Sequence, residues 1–365
     1  MAIRRITLSD LAFGEPLRWD IFSAPSAPQP LVHKGQLLSP GELDPWLESG
    51  LYAEAAGPIS VLQALNQINR RLERTLTNLR SHGNANIELR ALARELIATV
   101  ERNEDIALAA LFLSQIAGSY AVRHCTEAAI VVAVIALAMG KSQAEVLVMT
   151  AAALTMNVGM VREAELFQGK DGALSSAERA AVRRHPEESV ELLRWAGVTD
   201  EDWLELVLMH HENDDGSGYP DGRIGTQISQ NAKLIGLADR YCALVSARNY
   251  RRSLLPPDAL AKLSVDVDMP IDDMVMHQFT RQIGAFPPGT LVRLDNGERG
   301  VVSSCRDADG AVRIHVLRGS NGAPMPVVEV RTTADQGGAI AEALPEDQAN
   351  LRFSMKLIWG ELASI

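Results

Sequence analysis

The chain is poor in cysteine. Its 365 residues include three, Cys125, Cys242 and Cys305, far apart and without a Cys-x-x-Cys pair. That excludes a disulfide framework and a cysteine zinc knuckle, and it fits a reducing cytoplasm. An N-terminal apolar core is missing too, so Met-Ala-Ile-Arg-Arg-Ile-Thr does not read as a signal peptide. The longest apolar run, Ala128 to Gly140 between Glu127 and Lys141, is too short to cross a bilayer. It predicts a buried helix, and no membrane partner is expected. Positive charge is in deficit, with a net charge of −11 at pH 7 and a pI of about 5.3. A general nucleic-acid binder is thereby disfavoured, because a phosphate backbone would be repelled overall. A small anionic ligand in a local positive pocket stays compatible with that balance. There is no internal repeat and no low-complexity tract.

What remains is a globular composition, 47% hydrophobic and 22% charged, in a chain long enough for two or three units. Residues 1–80 read as an N-terminal regulatory or accessory region. It contains a proline-rich loop from Ser23 to Pro30 and a capping box, Ser39-Pro40-Gly41-Glu42, that predicts a short helix ending near Gly50. From Ser60 to Arg80 the residues Val61, Leu65, Ile68, Leu72 and Leu76 recur at helical spacing. They make either a bundle helix or a short dimerising coil, which leaves a homodimer open. Ser81 to Asn86 breaks the pattern.

Residues 87–285 read as nearly continuous helix. Ala128–Met139 and Val146–Leu154 are apolar almost all round, as central helices of a bundle are. Ser175-Ser176-Ala177-Glu178 is a second capping box, and Thr199 is placed to cap the helix that ends at His210 and His211. After Phe286-Pro287-Pro288-Gly289 the character changes to β-type runs at Leu291–Leu294, Gly300–Ser303, Val312–Leu317 and Pro326–Val330. Turn signals at Asp295-Asn296-Gly297 and Asp307-Ala308-Asp309-Gly310 separate some of them. A small β unit over 286–335 and a tail over 336–365, with a last helix after Pro345, complete the expected organisation. The fold class is mainly α: a helical bundle with a short mixed N-terminal segment and a small C-terminal β unit.

The chemistry concentrates in His210-His211-Glu212-Asn213-Asp214-Asp215-Gly216-Ser217-Gly218-Tyr219-Pro220. Adjacent imidazoles offer neutral nitrogen ligands to a divalent metal. The glycine-rich turn lets backbone approach a bound phosphate. The plainer alternative is a helix ending in two solvated histidines. His124, on a helix beginning near Tyr120, His185 before Pro186, and Asp239 in Leu237-Ala238-Asp239 add nitrogen and carboxylate donors. Metals that hydrolyse phosphate esters use such ligands, and a bundle can gather them from distant positions. Each also has a structural reading: His124 as a hydrogen-bonded core residue, His185 as a surface cation at a helix end, Asp239 as a partner for Arg240 or Arg251. His33, His82, His277 and His315 lack comparable partners.

These residues carry a resemblance. His210 to Pro220 is similar to the HHE-x-x-DG-x-GYP signature of the HD-GYP family of cyclic di-GMP phosphodiesterases. Tyr120 to His124, Leu174 to Pro186, Leu237-Ala238-Asp239 and Arg248-Asn249-Tyr250-Arg251 resemble further family segments. The resemblance covers somewhat more than half of the chain and implies an HD-type helical bundle. It also implies metal ligation by His124, His185, His210, His211 and Asp239. Contacts to substrate would come from Gly218, Tyr219, Pro220, Lys170 and Arg251.

The departures are as informative. Where the family has a His-Asp pair and a lysine in L-H-D-I-G-K, this chain has Met156, Asn157 and Met160. Cys242 stands where a second aspartate is common. By the resemblance, the missing aspartate bridges two metals. Asn157 brings no negative charge, Met156 offers a soft thioether unsuited to iron, manganese or magnesium, and Met160 offers a phosphate no cation. A two-metal clamp would be lost, and with it several kcal/mol of transition-state stabilisation, at about 1.4 kcal/mol per tenfold in rate. Iron or manganese is the expected metal, one ion or none. The sequence therefore points to a cytoplasmic HD-GYP-like module with impaired catalysis that binds cyclic di-GMP, a related nucleotide or a signalling protein. The alternative is a phosphodiesterase working with a reduced metal site.

Overall fold

The computed structural model describes residues 3–6, 16–17, 19–24, 27–38, 50–54, 60–79, 84–168, 175–246, 253–265, 272–304 and 310–365. The Ser39–Glu42 capping box with its helix, Lys170, Leu174, Arg248 to Arg251, His82, Cys305 and the Asp307–Asp309 turn lie outside the described residues. The chain divides into two compact units, Met1–Ile59 and Ser60–Ile365. The division falls before the helix at Val61, not near residue 80.

In the first unit, β1 (Ile3–Ile6), β2 (Ile21–Phe22) and β3 (Leu51–Glu54) form an antiparallel sheet in the order β1-β3-β2. Ile6, Leu17, Ile21, Leu38, Leu51 and Ala53 make its core.

The second unit is built on helices. Ser60 caps α1 (Val61–Thr77) through a bond from the Gln63 amide. The α1 stripe of Val61, Leu62, Leu65, Ile68, Leu72 and Leu76 is buried in the large core of this unit. The face that suggested a dimerising coil is thus used inside the chain. There follow α2 (Asn86–Arg102), α3 (Glu104–Phe112), α4 (Tyr120–Ala138) and α5 (Gln143–Thr155). Next come a 3-10 turn at Val158–Met160, α6 (Val161–Gln168), α7 (Ser176–Trp195) and α8 (Glu201–Met209). The helices close with α9 (Gln230–Val245), α10 (Pro256–Ser264) and α11 (Asp273–Ile283).

The central helix is α4, where residues on every face are buried, including all of Thr126 to Ala136. With 19 residues it is longer than the apolar run alone suggested. By length and composition, Tyr120–Ala138 and Gln143–Ala164 are both apolar enough to cross a membrane. Their apolar windows are 83% and 61% buried inside this chain, as bundle-core helices are. The capping box at Ser175 and Glu178 opens α7 as expected. The cap of α8, however, is Asp200, whose carboxylate accepts from the Trp203 amide at 3.2 Å, and not Thr199. A longer acceptor one residue later reaches the orphan amide better. Trp203 then donates from its indole to Thr155 Oγ1 at 2.9 Å, tying α8 to the end of α5.

The C-terminal β unit is a five-stranded antiparallel sheet ordered β7-β6-β5-β4-β8. Its strands are β4 (Leu291–Leu294), β5 (Arg299–Ser304), β6 (Arg313–Arg318), β7 (Pro324–Thr332) and β8 (Ile340–Ala343). Asp295-Asn296-Gly297 makes the β4–β5 turn, with Gly297 at a φ of +87°. The fifth strand lies in what the sequence suggested was tail. Beyond it, α12 (Glu346–Ala349) and α13 (Met355–Trp359) fold back, and Ser60 Oγ donates to the Ser364 carbonyl at 2.5 Å.

Because Leu65 is fully buried in the helical core, Leu65→Ala should destabilise the second unit by about 2–5 kcal/mol. Chemical denaturation checks this, and an unchanged midpoint would remove α1 from that core.

Candidate metal centre

Three histidines converge where α7, α8 and α9 meet. His185 lies inside α7, directly before Pro186, and is fully buried, so it is not a surface cation at a helix end. His210 and His211 follow the last residue of α8. One ligand atom from each of the three lies within 4.8 Å of the others. His185 Nδ1 donates to the Val182 carbonyl and His210 Nδ1 to the Val207 carbonyl, both at 2.6 Å. A carbonyl can only accept, so Nδ1 carries the proton and Nε2 of each neutral ring carries a lone pair. These two Nε2 atoms face one another at 3.1 Å. Two lone pairs at that distance repel, and a divalent cation between them removes the conflict. Two nitrogens each about 2.1 Å from one ion, at right angles, sit about 3 Å apart. Nδ1–H bonded to a backbone carbonyl is also the arrangement that orients metal-binding histidines.

Burial pushes the His185 pKa down to about 3, with His210 adding to the effect. Burial likewise lowers His210 and His211. The rings are neutral at neutral pH, the form a metal requires. The donor set fits a divalent ion.

Three glycines set the backbone of these histidines. A Cβ on Gly159 would meet the His185 carbonyl at 2.7 Å, and one on Gly218 the His211 carbonyl at 2.6 Å. On Gly236, inside α9, it would collide with the His210 carbonyl. Helix-interior glycine costs about 1 kcal/mol relative to alanine, so Gly236 needs a packing reason, and here it has one. The space beside Gly218 is filled by the chain from His211 to Asn213, so its lack of a side chain serves that contact.

The acidic residues after the histidines hold the loop. The Glu212 carboxylate accepts from the Asp221 amide at 2.8 Å and the Arg223 amide at 2.9 Å. Asp215 accepts from the Ser217 amide, Asp214 pairs with Lys233, and Tyr219 donates its amide to the His211 carbonyl. The Tyr219 ring stacks on His211 with centroids 4.7 Å apart.

The other half of the constellation is different. His124 Nε2 lies 2.8 Å from Asp239 Oδ1, and Asn157 Nδ2 reaches the same oxygen at 3.5 Å. Burial alone would raise the Asp239 carboxyl, but the hydrogen bond from His124 leads the opposing effects that hold it well below the usual range. His124 Nδ1 and Asn157 Oδ1 are buried without a hydrogen-bond partner. Met156 is fully buried in the core and offers no donor of the kind a hard cation takes. The acidic oxygen is thus engaged by His124, and residue 157 offers a neutral amide rather than a carboxylate.

The structure thus brings together His185, His210 and His211, and separately pairs His124 with Asp239. Lys170 and Arg251 lie outside the described residues. Several contributors were not singled out from sequence. Ser189 accepts from the Gly159 amide and donates to the Met156 carbonyl, both at 2.9 Å, which ties the departing turn to α7. Its position one helical turn after His185 was the available signal.

The comparisons agree with this architecture. A cyclic di-GMP phosphodiesterase of Pseudomonas aeruginosa is 31% identical over 213 residues, covering 58% of this chain and 50% of that protein. A 3'3'-cGAMP-specific phosphodiesterase of Vibrio cholerae is 27% identical over 168 residues, covering 46% and 36%. The chain therefore spans half or less of the length of these relatives. Among solved structures, an HDG"Y"P protein from Bdellovibrio bacteriovorus aligns with a TM-score of 0.50 and 14% identity, over 76% of this chain and 98% of that one, a likeness of fold. The family model described as HD domain matches residues 66–275, more than half of the chain. The chain belongs to the HD domain family, in its HD-GYP branch. As an HD-GYP protein it has the histidine pair and the Gly-Tyr-Pro loop.

A Gly236→Ala variant should stay folded yet displace His210 and lower the metal content to well under half of the wild-type value, given the backbone collision. Elemental analysis beside circular dichroism checks this. Wild-type metal content in the variant would show that Gly236 does not position His210.

Proposed function

We propose that this protein is an HD-GYP module of cyclic-dinucleotide signalling that holds one divalent ion, iron or manganese, on His185, His210 and His211. Its hydrolytic activity is strongly impaired, and it acts in the cytoplasm by binding a nucleotide and passing its state to a protein partner. One observation carries the reading: Asp239 Oδ1 is engaged by His124 at 2.8 Å while Asn157 supplies an amide where a bridging carboxylate would be needed. The three neutral histidines support retention of a single ion, and the phosphodiesterase names of the relatives support the cyclic-dinucleotide class. A lone ion would polarise a phosphate oxygen or lower the pKa of its bound water, but it would not clamp the attacking and leaving oxygens together. Loss of one such electrostatic contribution costs roughly a hundredfold to a thousandfold in rate.

The second reading is a phosphodiesterase with a reduced site, favoured by the intact three-histidine cluster. Gly218, Tyr219 and Pro220, with Lys170 and Arg251, would then contact the substrate.

Protein loaded with manganese or ferrous iron should contain about one ion per chain and bind cyclic di-GMP, with turnover at least about a hundredfold below a two-metal homologue. Two ions per chain, or robust turnover that disappears in a His210→Ala, His211→Ala variant, would overturn the module reading in favour of the enzyme.

A further inference from the structure

We propose that Arg183, seated on the ring of Tyr219, is the phosphate-binding cation at the mouth of the three-histidine cluster. The proposal rests on the function read above and names how that site takes its anionic ligand. Met160 is apolar, so it brings no positive charge to the site. Arg183 lies on α7 two residues before His185 and is exposed. Its guanidinium carbon is 4.9 Å from the centroid of the Tyr219 ring. That ring is stacked on His211, with 28° between the planes.

Burial shows which side of the cluster is open. His185 and His210 are sealed, whereas His211 and Tyr219 are half-buried. A ligand reaching the histidines comes in along His211 and Tyr219, and therefore past Arg183. The neighbouring Arg184 is paired with Glu188 at 3.4 Å, but among the described residues no carboxylate pairs with Arg183. A guanidinium lying on an aromatic face keeps its N–H edge available, and that edge matches two phosphate oxygens at once. The ring restricts the long side chain in advance, so less rotamer entropy is lost on binding. Arg183 thus stands beside the accessible histidine in a chain of net charge −11. The ligand class is a phosphate ester, whether the diester of a cyclic dinucleotide or the terminal group of a linear one.

Titration calorimetry on the manganese-loaded full chain tests this with two probes, cyclic di-GMP and inorganic phosphate. Arg183→Gln should weaken both about tenfold, the scale of one charge-assisted pair, and Arg183→Lys should weaken them less. Tyr219→Leu should resemble Arg183→Gln, since the guanidinium loses its seat. Metal content should stay at the wild-type value in all three. Wild-type affinity for both probes in Arg183→Gln overturns the proposal. Wild-type protein that binds phosphate but not cyclic di-GMP overturns the cyclic-dinucleotide reading instead, and the phosphate arm then judges the arginine alone. Binding of neither probe by the wild type overturns both.

Discussion

The close approach of backbone to backbone around three histidines is the constraint on which the rest of the site depends. Gly159, Gly218 and Gly236 sit where any side chain would strike the carbonyl of His185, His211 or His210. These contacts fix the helix-to-helix spacing before any side-chain chemistry begins. With the spacing fixed, the Nδ1 protons of His185 and His210 go to carbonyls of their own helices, and the Nε2 lone pairs are left facing one another. The electrostatic conflict at 3.1 Å is local and buried, and no donor among the described residues relieves it. A divalent cation between the rings would relieve it, so packing itself prepares the cluster for one. The Glu212 carboxylate, stapled to two loop amides, keeps His211 and Tyr219 from escaping that arrangement.

Much of this was legible in the sequence because the signals were local and strong. Helical periodicity located α1, runs apolar almost all round located α4 and α5, and the capping box at Ser175 located the start of α7. The doubled histidine before a Gly-rich turn located the cluster. Three things were not legible, each for a physical reason. The unit boundary at Ile59 could not be read because α1 has the same amphipathic pattern whether it packs inside a chain or against a second copy. The strand at Ile340–Ala343 is four residues long and gains its strand character from pairing with β4, a non-local contact. The roles of Gly236 and Ser189 depend on which neighbouring helix lies opposite, which periodicity does not encode.

The neutral side chains of Met156 and Asn157 have a structural counterpart that composition alone would not reveal. With no cation from either of them, Asp239 could have been an isolated buried charge, which is costly. His124 pairs with Asp239 directly, while His124 Nδ1 and Asn157 Oδ1 are buried without a hydrogen-bond partner. A metal on Asp239 Oδ1 would have to displace that buried, charge-assisted hydrogen bond.

The proposed reading bears on how a phosphate would be neutralised. In a two-ion site the metals themselves neutralise a phosphate. With one ion and an apolar Met160, the neutralising charge would have to come from elsewhere on the rim, and the cation seated on Tyr219 is an arginine rather than a lysine point charge. Arginine is suited to that place because it is weakly hydrated, stays charged when partly covered, and can lie on Tyr219 without losing its donors. Under the proposed one-ion reading, such a site would hold a phosphate in the ground state but lack the paired ions that favour the transition state over it.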